Sequence, residues 1–185
     1  MHDLLATVVL CCLLGGCERT PAVSRAEAAE SDPASDIRRA EQKAAEKNAG
    51  VECRNGRELY KGSISVDSKT YVHPVKHGDT YVGEVIPGLD QVVSKSPELR
   101  FTLDYPFERP FSGVVTGDLT LRRIIDAVRA GFRTMYQGTT EREIPGLMNK
   151  DVRGPYGKAF HVIGDLVIEG IDLCDDKTLR LAIGS

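Results

Sequence analysis

The chain has 185 residues, 41% of them hydrophobic and 28% charged, with 24 Lys and Arg against 27 Asp and Glu. That length suits one domain of ordinary size with additional segments. A formal net charge of −3 argues against a nucleic-acid surface, and no apolar run reaches the roughly 20 residues that a membrane-spanning helix needs.

The first segment, LLATVVLCCLLGGCERT from Leu4 to Thr20, is apolar as far as Leu14 and polar from Glu18 onward. Its apolar run is too short to span a bilayer, and its length suits the central region of a secretory signal, about 7–15 residues followed by small residues at a cleavage point. Leu14-Gly15-Gly16-Cys17 resembles the lipobox of bacterial lipoproteins. The resemblance covers residues 1–17 only, and the opening Met1-His2-Asp3 departs from the family in lacking Lys or Arg. It implies that residues 1–16 are a signal peptide, that Cys17 carries the lipid, and that the mature chain begins there. Acyl chains contribute about 0.8 kcal/mol per buried methylene, so two or more on Cys17 would hold the chain to a membrane. It also implies a cell-envelope protein facing the periplasm; Glu18, where Asp would point to the inner membrane, favours the outer one.

Of five cysteines, Cys11 and Cys12 would leave with the signal and Cys17 would be lipidated. Cys53 and Cys174 remain. They can form a disulfide in an oxidising compartment, closing a loop worth roughly 4–5 kcal/mol, or stand as two separate thiols.

Residues 17–55 are rich in Ala, Glu, Lys and Arg, with Ile37 the one large aliphatic residue between Ala26 and Gly50. Good helix formers with no apolar stripe predict a polar, partly helical tether, capped at Ser35 or Asp36 and stopped at Gly50.

Residues 56–185 read as one α+β domain, a mostly antiparallel sheet of short strands packed against one long amphipathic helix. Short strands are expected around Ile64 and Val66, from Tyr71, and over TYVGEVI after the turn Lys76 to Asp79. LDQVVSK suggests a short helical turn. LRFTLDYPF alternates as a half-buried strand closed by Pro106. In DLTLRRIIDAVRAGFRTMYQG, Leu121, Ile124, Ile125, Val128, Phe132, Met135 and Tyr136 recur at helical steps, with Asp118 or Thr120 to cap and Gly138 to stop. GLMNKDVRGPYGKAF reads as a long surface loop, and DLVIEGIDL and TLRLAIGS as a final hairpin.

No catalytic signature stands out. There is no GxSxG elbow, SxxK or nucleotide-binding glycine loop, and Glu141, Glu143, Asp165 and Glu169 lack an identifiable partner. His73 and His77 lie about 13 Å apart if on one strand; convergence of His77, Asp79 and His161 would be needed for a metal, and none is expected. Arg122, Arg123, Arg129 and Arg133 read as the solvated side of the helix, with Asp126 pairing to Arg129. No cofactor is expected. The resulting expectation is a lipid-anchored, non-catalytic module that binds a protein, as an immunity or inhibitor protein or an accessory subunit, with the membrane reached through Cys17. The competing expectation is a small hydrolase or ligand-binding protein using His161 in the Gly154–Asp165 loop.

Overall fold

The computed structural model describes residues 32–50, 53, 55–174 and 177–185. In chain order these form α1 (Pro33–Gly50), β1 (Arg57–Ser65), β2 (Val72–His77), β3 (Thr80–Val85), β4 (Glu98–Leu103), β5 (Phe111–Thr116), α2 (Leu121–Tyr136), β6 (Thr140–Glu143), β7 (Lys150–Gly154), β8 (Gly157–Ala159), a single 3-10 turn (Ile163–Asp165), β9 (Val167–Leu173) and β10 (Thr178–Gly184). The expected signal segment 1–16 and Cys17 lie outside the described residues.

The expected fold class is corrected by this arrangement. The described chain is mostly β, with its strands in three separate sheets and two short helices of 18 and 16 residues, rather than one sheet on one long amphipathic helix. The error has a local cause. The loop expected at GLMNKDVRGPYGKAF holds β7 and β8, which with β6 just before it make a three-stranded antiparallel sheet, β6-β7-β8. Its strands are three to five residues long, rich in charge and glycine, and too short to show alternation. They are held instead by burying Val152 and Ala159 and by Arg142 and Arg153, which converge on the buried carboxylate of Asp151. β5 was likewise hidden by Ser112 and Gly113. The stretch LDQVVSK forms turns and one bridge, Val92 to Thr120, and no helical turn.

The largest sheet has strand order β1-β9-β10-β4-β5. The β9–β10 and β4–β5 pairs are antiparallel, and β10 runs parallel to β4 where the two hairpins meet. Alternation delivers Leu99, Phe101 and Leu103 of β4 to the interior. Against them lies α2, burying Leu121, Ile124, Ile125, Val128, Phe132 and Met135. Each such side chain contributes about 1.5–3 kcal/mol when removed from water. Thr120 caps α2 by accepting the amide hydrogen of Arg123 at 3.3 Å, and Gly138 follows its end at φ +74°.

Of the two alternatives open for Cys53 and Cys174, the structure has the disulfide: their Sγ atoms are bonded, with the Cα atoms 5.2 Å apart. In the segment expected to be a tether, α1 is capped at Asp32, not at Ser35 or Asp36: the Asp32 carboxylate accepts from Ala34 N at 3.2 Å, and Pro33 occupies the first helical position, where no amide hydrogen is needed. The helix docks through Ile37, only 7% exposed, on Ile144 and Phe160, with Ala40 and Leu147 at the margin. Among the described residues no helix is long and apolar enough to cross a membrane.

Candidate functional site

A concavity lies between α1, the β4–β5 connection and β8. Its volume is about 500 Å³. Helical spacing puts Asp36, Arg39, Ala40 and Lys43 along one wall; Asp104 to Glu108 form the other, and Lys158 and Phe160 close the end. Phe107 and Phe160 are buried in its floor. Phe107 is fixed by an edge-on contact with Tyr136, ring centres 4.8 Å apart. Lys158 Nζ sits 4.4 Å from the centre of the Phe160 ring, so its charge is held over the floor rather than swept into solvent. The Arg109 amide donates to the Tyr156 carbonyl at 3.0 Å, and its guanidinium donates to the carbonyl of Pro155, which pins the β4–β5 connection to the turn before β8. The rim carries three cations and three carboxylates, Arg39, Lys43 and Lys158 against Asp36, Asp104 and Glu108.

Beside this cleft lies His161, the residue on which a catalytic reading depends. Its Nε2 is 3.4 Å from Ser185 Oγ and 3.7 Å from Glu41 Oε1. Ser185 Oγ lies 2.9 Å from the Tyr105 hydroxyl, and Tyr136 donates its hydroxyl hydrogen to the His161 carbonyl at 2.7 Å. Burial holds the His161 imidazole below its ordinary pKa, outweighing the upward pull of Glu41 and Asp165. Burial likewise pushes the Tyr105 and Tyr136 phenols up, which keeps them protonated. A serine relay requires hydroxyl and carboxylate on opposite ring nitrogens, so that the carboxylate orients the base. Here both approach Nε2. The cavity lined by His161, Tyr105 and Phe160 measures about 10 Å³, about the space one water requires.

The other residues singled out from the sequence do not assemble. His73 packs on Tyr60, ring centres 5.9 Å apart; His77 pairs with Glu84 across the hairpin; Asp79 lies in the turn after it. None meets His161, and among the described residues no group of three His, Cys, Asp or Glu is placed to hold a metal ion. Lys150 lies between Glu141 and Glu143, at 3.4 and 3.5 Å, while Asp165 accepts from the Val162 amide at 3.2 Å. Glu169 stays in β9, beside Gly184.

The arginine face of α2 is also not what the helical wheel suggests. Arg122 holds Asp90 through two bonds, at 2.6 and 2.9 Å. Arg129 is 2% exposed and serves the carbonyls of Ser65 and Thr70. Asp126 accepts from the Tyr71 hydroxyl at 2.6 Å instead of pairing with Arg129. Arg123 and Arg133 remain exposed.

The cleft residues Asp36, Arg39, Lys43 and Lys158 escaped the sequence reading. A signal existed in the three- and four-residue spacing of Asp36, Arg39, Ala40 and Lys43, but a polar helix does not declare which face meets the rest of the protein. No family model, curated protein or solved structure matches the chain.

Proposed function

We propose that the protein is a lipid-anchored component of a bacterial cell envelope, held through Cys17 and facing the periplasm, whose folded region binds another protein in the α1–β4/β5 cleft. The observation that carries this reading is the cleft itself. An apolar aromatic floor beneath a rim of both charges is the composition of a protein-binding surface, where a dry centre supplies affinity and charged edges supply selectivity. Ligand-binding pockets run to about 300–1,000 Å³: the cavity at His161, about 10 Å³, counts against a hydrolase centred on that residue, while the cleft, about 500 Å³, is assigned to a protein by its rim of both charges and not by its size. An immunity or inhibitor protein and an accessory subunit make the same demand on this surface.

The test is cross-linking in intact cells, followed by mass spectrometry of bound species, for the native chain, Cys17→Ser and the double variant Lys43→Glu/Lys158→Glu. The expected result is one stoichiometric protein partner whose recovery falls about tenfold or more on charge reversal at the rim. Release of Cys17→Ser from the membrane fraction is expected too. Recovery unchanged by the charge reversals, or no protein captured, overturns the cleft as the binding site.

A further inference from the structure

The hairpin of β2 and β3 is separate from both larger sheets. His73 and Val75, on one face, lean toward the body and are half-buried; Val72, Pro74, Lys76, Tyr81, Gly83 and Val85 form the opposite face, and all are exposed. Tyr81 and Val85 are each 70% exposed and Val72 is 39% exposed. A two-stranded ribbon is marginal alone in water, so further strands added at its edge stabilise it.

The backbone pattern shows which edge is open. The two-residue turn Gly78-Asp79, with Gly78 at φ +60°, closes on the pair His77–Thr80. In such hairpins that closing pair exchanges hydrogen bonds, and bonded and non-bonded pairs then alternate. Lys76–Tyr81, Pro74–Gly83 and Val72–Val85 are therefore the non-bonded pairs. Their amides and carbonyls point outward, away from the neighbouring strand. On the β2 side this outward position falls on Pro74, which has no amide hydrogen, so that edge is blocked. On the β3 side it falls on Tyr81, Gly83 and Val85. β3 contains no proline, no lysine and no bulge, and its one charge, Glu84, is on the other face from Tyr81 and Val85 and is paired with His77, so the edge is protected only by its short length. By contrast β1, an outer strand of the large sheet, carries two register irregularities and Lys61.

We infer that β3 pairs with β3 of a second copy of this chain, antiparallel and centred on Gly83. A two-fold axis through Gly83 sets Tyr81 against Val85 of the other copy, and Val85 against its Tyr81. All three opposed pairs then use outward-pointing backbone groups, for about six hydrogen bonds, two per pair. The same register keeps the exposed face continuous. It runs Val72, Val85, then Tyr81 and Lys76 of the second copy, and each row repeats under the two-fold. Tyr81 against Val85 is an aromatic to β-branched contact, a favourable cross-strand pair. Gly83 occupies the axis, where Val72 already leans so close that a Cβ on Gly83 would fall 2.7 Å from Val72 Cγ1. No like charges face each other: on the other face Glu84 lies opposite Val82 of the second copy and is already partnered by His77. Shifting the register by one residue would oppose inward- with outward-pointing backbone groups, and shifting it by two leaves two opposed pairs within β3 in place of three, so the register centred on Gly83 is favoured. The inference uses none of the cleft residues.

Sedimentation equilibrium of the full chain in detergent tests it, comparing native protein with Val85→Lys and, independently, Tyr81→Lys. Both positions are exposed, so neither substitution disturbs the core. The expected outcome is a dimer whose dissociation constant rises at least about tenfold in each variant. A second measurement mixes differently tagged Tyr81→Cys and Val85→Cys chains with a short thiol cross-linker; the mixed product is expected to exceed both self-linked products. A monomer at all concentrations, or one that dimerises only with a strand supplied by another protein, overturns the inference. So does a dimer indifferent to both lysines, or a cross-linking pattern without preference for the mixed product.

Discussion

The guanidinium of Arg129 lies beneath the ring of Tyr71, 5.3 Å from its centre. From there it donates to the carbonyls of Ser65 at 2.9 Å and Thr70 at 2.8 Å. These carbonyls flank the turn between β1 and β2, so a charge from α2 closes a connection whose own backbone leaves acceptors unfilled. A second cation, Arg122, lies 4.4 Å from the centre of the same ring, and the Tyr71 hydroxyl donates to Asp126. Arg129→Ala strands two acceptors and removes the cation beneath the ring. It is expected to cost about 3–5 kcal/mol in unfolding free energy, measured by urea titration. Arg129→Lys is expected to recover less than half of the loss, because an ammonium cannot reproduce the planar fork that reaches two carbonyls.

The Cys53–Cys174 bond spans 121 residues of sequence and encloses every strand of the three sheets except β10. Chain entropy for a loop that long predicts a loss of about 5 kcal/mol when both cysteines are replaced by serine. The urea midpoint should fall, and the transition should steepen, because the unlinked unfolded chain is less compact and exposes more surface. Adding reductant to the native chain should reproduce the loss, whereas the serine double variant should be indifferent to it.

Legibility in the sequence followed the length of each pattern. α2 was readable because seven apolar residues recur over more than four turns, and the β9–β10 hairpin because Leu179, Leu181 and Ile183 alternate over a whole strand. β6, β7 and β8 were not readable. In TERE every side chain is exposed, so period two has no apolar partner to reveal it, and Gly154-Pro155-Tyr156-Gly157 reads as loop whether or not strands flank it. Arg129 was misplaced because hydropathy assigns a cation to solvent; only the two free carbonyls across the turn make its burial favourable. The cleft was invisible for a related reason. One face of α1 is defined by the single aliphatic residue Ile37, and what Ile37 meets, Ile144 and Phe160, lies more than a hundred residues away in segments that read as loop.

That thin attachment makes α1 separable from the body. Ile37→Asp places a carboxylate against Ile144 and Phe160 and should release the helix, since its apolar docking rests on one large side chain and Ala40, with Glu41 near His161 at 3.7 Å the remaining contact. The loss is expected to be local and about 2 kcal/mol or more. Hydrogen exchange read by mass spectrometry should show protection falling in residues 33–43 and rising exposure at 144–147 and 160. The midpoint of global unfolding should stay close to native, because the large core does not include Ile37. Loss of the whole cooperative transition would instead place α1 inside the main folding unit.

His161 gives the fold a pH dependence whose sign follows from its burial. The folded state holds the imidazole below its ordinary value of 6.5, so on acidification the unfolded chain takes up the proton first. Stability rises with pH wherever the unfolded state binds more protons. The contribution of His161 is therefore complete above about pH 6.5 and is lost as pH falls from there toward the lower folded value, beyond which no more is lost. Glu41 at 3.7 Å works against this loss, because its carboxylate favours the imidazolium. Urea midpoints between about pH 8 and about pH 5 should fall more steeply for the native chain than for His161→Gln, which keeps a polar side chain and does not titrate. Glu41→Gln should steepen the native fall, since it removes the charge that partly stabilises the protonated ring. Equal slopes for native and His161→Gln would show that the ring remains as easily protonated in the fold as in the open chain.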